Sequence, residues 1–274
     1  MTHSSAIRRV LENPLFELIP LKNALDQARY LPDGATVSVT ASPTKGMDAT
    51  LDLTAELQDM GFEVVPHLSA RLTEDRSDLE RTMKRIHDLG ISRVFVVGGD
   101  SENPGEFFDG LSLLRAMDDI GHHLTFGVPS YPEGHEFIPD DVLDSALVDK
   151  QRYATSMTTQ LCFSGQAVTD WVPRQRANGI ALPVVLGIPG VTDRVRLLKM
   201  SARIGVGDSI RFLRKNVSTV ARFVRPGSHS PADLLEELGP ALDDAEMGIE
   251  GVHIYTFNSC DSTEEWRQQY LQEL

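Results

Sequence analysis

The chain has 274 residues, 41% hydrophobic, 24% charged and only 7% aromatic, a globular composition that excludes disorder, collagen and coiled coil. Its 26 basic residues against 40 acidic ones leave a formal charge of −14, which argues against nucleic acid and anionic membrane surfaces as partners. Two cysteines, Cys162 and Cys260, stand in no metal-ligand spacing, and no apolar run has the length of a signal peptide or a membrane span, so a cytoplasmic protein with no metal site is expected.

Along the chain, short apolar or β-branched runs alternate with amphipathic stretches. Strands are predicted at 15–19, 36–40, 63–69, 93–97, 124–128, 156–162, 183–188 and 251–255. Helical periodicity occupies 48–60, 77–89, 106–120, 140–153, 167–178, 192–204, 209–223 and 231–247, with Gly61, Gly121, Gly179 and Gly248 just past helix ends. Parallel strands need such helical crossovers, and eight repeats predict an α/β fold, a single (β/α)8 TIM barrel spanning 1–274. The long interval before the last strand predicts an extra helix there. An open doubly wound sheet would carry an early G-x-G-x-x-G, and none occurs. Asp208, after Gly205-Val206-Gly207, reads as a helix cap rather than a phosphate grip. The segment 226–230 reads as a loop within the barrel, and 263–274 is a candidate contact for a homo-oligomer.

In such a barrel the working residues lie at strand C-termini. Glu17 shares a strand face with Leu15 and Ile19, which points a carboxyl into the barrel interior, where apolar neighbours favour its protonated form and general-acid chemistry. Strand ends two and three carry Thr40 and His67, without the spacing of a metal-dependent hydrolase. Gly98-Gly99-Asp100 ends the fourth strand, where glycines let a backbone approach a ligand closely. Tyr131, with His135 four residues on, follows the fifth, and Gln160 with Phe163 ends the sixth. An aromatic, an amide and polar loops suit a flat heteroaromatic ligand better than a sugar phosphate.

The order of these motifs resembles the catalytic domain of the methylenetetrahydrofolate reductase family. Phe16-Glu17-Leu18-Ile19-Pro20 is similar to that family's F-E-F-F-P, Val37-Ser38-Val39-Thr40 to V-S-V-T, and Pro66-His67-Leu68 to P-H-L. Gly99-Asp100 matches the end of R-G-D, Tyr131-Pro132-Glu133-Gly134-His135 matches Y-P-E-x-H, Thr159-Gln160 with Phe163 matches T-Q-F-x-F, and Tyr255-Thr256 with Asn258 matches Y-T-L-N.

The resemblance implies a barrel with non-covalent FAD that takes hydride from NADH or NADPH and reduces 5,10-methylenetetrahydrofolate to 5-methyltetrahydrofolate. It implies Glu17 as the general acid and Asp100 as a catalytic residue between flavin and pterin. FAD contacts would come from Thr40, His67, Gly99, Asp100, Tyr131, His135 and Lys150, and folate contacts from Gln160, Phe163 and Arg196. Three positions depart from the pattern: Gly98 and Ser259 stand where the family has arginine, and Arg196 where it has glutamine. Direct hydride transfer to folate without FAD, and a non-catalytic folate-binding barrel, are the competing expectations. A lysine Schiff base is disfavoured, because Lys150 lies on a helix rather than at a strand end.

Overall fold

The computed structural model describes residues 3–135, 137–192 and 231–274. Eight strands close into a barrel in chain order: β1 (Leu15–Leu18), β2 (Thr36–Val39), β3 (Glu63–Ser69), β4 (Arg93–Val97), β5 (Thr125–Ser130), β6 (Ala154–Thr159), β7 (Val184–Pro189) and β8 (Ile249–Tyr255). All neighbours are parallel, and β8 returns to β1 with Leu15 opposite His253 and Glu17 opposite Tyr255. The described helices are α1 (Ser4–Glu12), α2 (Ala24–Ala28), α3 (Gly46–Asp59), α4 (Arg76–Asp88), α5 (Gly110–Ile120), α6 (Asp140–Lys150), α7 (Gly165–Ala177), α8 (Pro231–Asp243) and α9 (Cys260–Glu273). The fold is the (β/α)8 barrel expected from the strand spacing. Between β7 and β8 it shows α8; apart from Thr192, the helices expected over 192–204 and 209–223, the cap at Asp208, the 226–230 loop and Arg196 fall outside the described residues.

Alternation along each strand sorts side chains into two environments. Phe16, Leu18, Val37, Val39, Val94, Val96, Leu186 and Ile254 are buried in one continuous apolar core with helix residues such as Leu51, Leu57, Ile86 and Leu113. The alternate positions, Glu17, Ser38, His67, Thr158 and His253, are buried too but polar. Barrel interiors are ordinarily filled by branched aliphatic side chains. Here the stabilising apolar layer lies between strands and helices, which leaves the interior free to carry chemistry.

Some elements differ from the sequence-based reading for local reasons. Strand β6 stops at Thr159, because Gln160 turns back so that its Oε1 accepts from the Leu161 N–H at 2.9 Å. Helix α5 starts at Gly110 rather than 106, because Asp109 and Ser112 form a reciprocal capping box. Helix α1 was not anticipated; Ala6, Ile7, Val10 and Leu11 bury one of its faces.

The ends of the chain are joined by charge as well as by packing. Arg267 on α9 is 3% exposed, donates to both carboxyl oxygens of Glu264 at 2.7 and 2.8 Å, and reaches the Leu11 carbonyl of α1 at 2.6 Å. The inner face of the 263–274 segment is therefore engaged within the chain. Among the described residues no helix is long and apolar enough to cross a membrane.

Candidate active site

A cavity of about 1170 Å³ opens at the C-terminal ends of the strands. Glu17, Thr40, His67, Gly99, Asp100, Tyr131, His135, Lys150 and Gln160 all line it. Eight βα units bring these residues together from positions scattered through the sequence. Phe163 does not line the cavity. It is buried behind the rim, where its N–H donates to Glu133 Oε1 at 2.6 Å and the Ser164 N–H donates to the same oxygen at 2.9 Å. Glu133 thereby braces the loop after β5 against the start of α7, and burial raises its pKa against the lowering effect of these two bonds.

Glu17 is 7% exposed and places Oε2 3.2 Å from His253 Nε2. That ring sits one strand away, 4.7 Å from the Tyr255 ring and 6.4 Å from the His67 ring, and its Nδ1 is buried without a hydrogen-bond partner among the described residues. His67 Nε2 lies 3.1 Å from Ser38 Oγ. Burial, then repulsion from His253, pulls the His67 pKa down from 6.5 to about 3, so this imidazole is neutral at ordinary pH. Burial, with the negative charge of Asp100 adding to it, pushes Tyr131 up to about 12. Burial lowers the Lys150 pKa, and Asp109 opposes that shift.

The end of β8 is built to hold Glu17 in place. Thr256 Oγ1 donates to the Glu17 carbonyl at 2.5 Å. The Asn258 side chain accepts from the Ile19 N–H at 2.8 Å and donates to the Ile19 carbonyl at 2.9 Å, replacing a strand partner where β8 has ended. This requires Phe257 and Asn258 to adopt φ of 50° and 53°, a left-handed pair that non-glycine residues rarely form.

Sequence reasoning passed over His253, Ser38 and Arg71. His253 lies two residues before Tyr255, and Ser38 two before Thr40, so strand periodicity places each on an interior face; a polar residue there was the available signal. Arg71 sits in a short turn after β3 that no strand pattern reveals. Ser259, one of the positions without the family arginine, is fully buried and hydrogen-bonded to Thr192 at 2.8 Å, and it does not line the cavity.

A polar interior, a ligand-sized cavity at the strand C-termini and a buried acid–imidazole pair define a TIM barrel with an enzyme-like site. The methylenetetrahydrofolate reductase family model matches residues 20–270, and the chain belongs to that family. Methylenetetrahydrofolate reductase 1 of Schizosaccharomyces pombe is 26% identical over 122 residues, which cover 40% of this chain and 20% of that protein. Methylenetetrahydrofolate reductase 2 of Saccharomyces cerevisiae is 23% identical over 244 residues, 83% of this chain and 40% of that protein. The chain thus spans well under half the length of these curated relatives.

Among solved structures, a Clostridium thermocellum protein that binds two copies of 5-methyl-5,6,7,8-tetrahydrofolic acid superposes with a TM-score of 0.64 at 11% identity, covering 96% of each chain. Oxaloacetate acetylhydrolase gives 0.53 at 10% identity, over 100% of this chain and 87% of that one. At such identities these likenesses speak for the barrel alone.

Proposed function

We propose that this barrel reduces 5,10-methylenetetrahydrofolate to 5-methyltetrahydrofolate, with hydride supplied by NADH or NADPH and relayed through non-covalent FAD. The observation that carries the reading is Glu17, a buried carboxyl on the cavity wall held against His253. The family match supports the folate chemistry. The residues fit a dinucleotide: the cavity exceeds the ~300–1,000 Å³ of a typical small-ligand pocket and carries aromatic, hydroxyl and cationic side chains around its rim. Thr40, His67, Gly99, Tyr131, His135 and Lys150 would hold FAD, with Asp100 between it and the pterin and Gln160 on the pterin itself. Arg196 stays with this reading as a folate contact, and Phe163, set behind the rim, would act through the loop it anchors.

When bound, FAD supplies a two-electron relay that separates nicotinamide oxidation from folate reduction. The chain's own task is to deliver a proton and exclude water. Opening the methylene bridge requires protonation of its leaving nitrogen, and Glu17 is the carboxyl placed to donate it. His253 Nε2 lies against Glu17 Oε2 at 3.2 Å, which fixes the orientation of the carboxyl on the cavity wall. Neutral His67 adds a hydrogen-bonding edge without adding positive charge. We place the reaction in the cytoplasm, where the free thiols Cys162 and Cys260 stay reduced. A homo-oligomer would use the outer face of α9, which exposes Glu265, Gln268 and Gln269.

Glu17→Gln separates the two half-reactions. Stopped-flow reduction by NADH or NADPH should stay near the wild-type rate, while folate turnover falls at least ~10²-fold, the contribution of a well-placed general acid. If both rates fall together and the variant melts early, Glu17 is a structural carboxylate. If added FAD gives no quenching or spectral change with wild type, direct hydride transfer replaces the flavin route, and a protein that binds folate without turnover is the non-catalytic barrel.

A further inference from the structure

Gly98 occupies the place of an expected arginine, yet a cation reaches the loop that follows it from another element. Arg71, in the turn that follows β3, donates its backbone N–H to the Gly98 carbonyl at 2.9 Å and its Nε–H to the Ser101 carbonyl at 2.7 Å. That second bond fixes the guanidinium at the Ser101 carbonyl, in the loop that continues from Gly98–Gly99. Its two terminal amino groups have no hydrogen-bond partner among the described residues, so the fork is held ready for an outside acceptor.

Lys150 lines the same cavity and comes close to Gly110, the helix residue that packs on Gly98. A Cβ built on Gly110 would lie 3.6 Å from Gly98 N and 3.7 Å from Lys150 Cε. Arg71 and Lys150 are the only lysine or arginine side chains among the described residues that line the cavity, and the wall also carries Asp100, Glu102, Asp109, Asp141 and Asp149. Among the described residues, an anion entering this cavity therefore meets lysine or arginine charge only at Arg71 and Lys150. Glycine is needed at 99 itself: its φ is +86° and a Cβ there would fall 1.9 Å from Ser69 Oγ. The backbone can thus meet a ligand without a side chain in the way.

We infer that Arg71, together with Lys150, forms the pyrophosphate-binding clamp of the dinucleotide, and that Arg71 supplies the cationic contact that Gly98 lacks. The inference rests on the dinucleotide reading proposed above. Bidentate recognition of a phosphate oxygen pair is the task a guanidinium performs and an ammonium does not. The shared chemistry is the pyrophosphate diester present in both FAD and NADH.

The test is a charge swap. A side chain is sterically admissible at Gly98, whose nearest neighbour to a built Cβ is Gly110 N at 3.9 Å and whose φ is not in the left-handed region. Wild type, Arg71→Gln, Arg71→Lys and the Arg71→Gln/Gly98→Arg double variant are titrated with FAD, riboflavin and NADH. Arg71→Gln should weaken FAD or NADH by about ten- to a hundredfold, the scale of a hydrogen bond to a charged group, and leave riboflavin unchanged. Arg71→Lys should fall between the two, and Gly98→Arg should recover much of the loss. Which dinucleotide weakens identifies the pyrophosphate that is held. Equal loss of FAD and riboflavin, no loss of either dinucleotide, or no recovery by Gly98→Arg overturns the clamp while leaving the function standing. Failure of wild type to bind FAD and NADH at all overturns both.

Discussion

His67 illustrates how surroundings decide what a polar residue does. It accepts or donates a hydrogen bond with Ser38, lies 4.8 Å from the Phe95 ring, and is held neutral down to about pH 3 by burial and by His253. In the unfolded chain the same imidazole takes up a proton near pH 6.5. The unfolded state therefore binds more protons below that value, so this contribution to stability is present above pH 6.5 and is lost as pH falls toward about 3. The slope is at most about 1.4 kcal/mol per pH unit for one proton. His67→Gln removes this term, and urea melts should show the wild-type advantage over the variant shrinking as pH is lowered from about 6 to about 4. A pH-independent gap would mean that His67 titrates normally in the folded protein.

At the scale of elements, the turns after strands carry the site, and backbone conformation governs them. Gly98 and Gly99 are neighbours with opposite tolerance. Gly99 combines a φ of +86° with a Ser69 side chain in the space of any Cβ, whereas Gly98 has room and an ordinary φ. Gly99→Ala should cost at least ~1–2 kcal/mol in urea denaturation from the left-handed strain alone, and more from displacing Ser69. Gly98→Ala should stay within about 0.5 kcal/mol of wild type. Equal effects would show that the turn relaxes as a unit. The Phe257–Asn258 turn solves a related problem differently: it accepts two left-handed residues because four hydrogen bonds around Thr256, Asn258 and Ile19 hold it. The strain is compensated where β8 must end and still support β1.

At the scale of the whole molecule, closing the barrel brings the first and last elements together. Arg267 joins α9 to the end of α1 while its charge is matched by Glu264, itself 8% exposed. Removing one partner leaves the other buried and uncompensated, so Arg267→Met should destabilise by about 3–5 kcal/mol. The double variant Arg267→Met/Glu264→Leu should recover most of that loss, because two apolar side chains of similar size carry no desolvation penalty. Chemical denaturation of the four proteins in the cycle measures the coupling; additive losses would show that the pair is not the joint.

The barrel was legible in the sequence because it is specified by periodicity. Short apolar or β-branched runs such as 63–69 and 93–97 and helical spacing in 77–89 are local properties, and the order of strands follows once each crossover must be right-handed and parallel. Glu17 was legible for the same reason, as a charge at an interior position of an apolar strand. What the sequence left open depends on residues far apart in the chain. His253 meets Glu17 across 236 positions, Arg71 meets Gly98 through a turn with no pattern of its own, and Phe163 is turned from the cavity by Glu133 on another loop. Those contacts are set by where eight strand ends converge, and only closure of the barrel decides it.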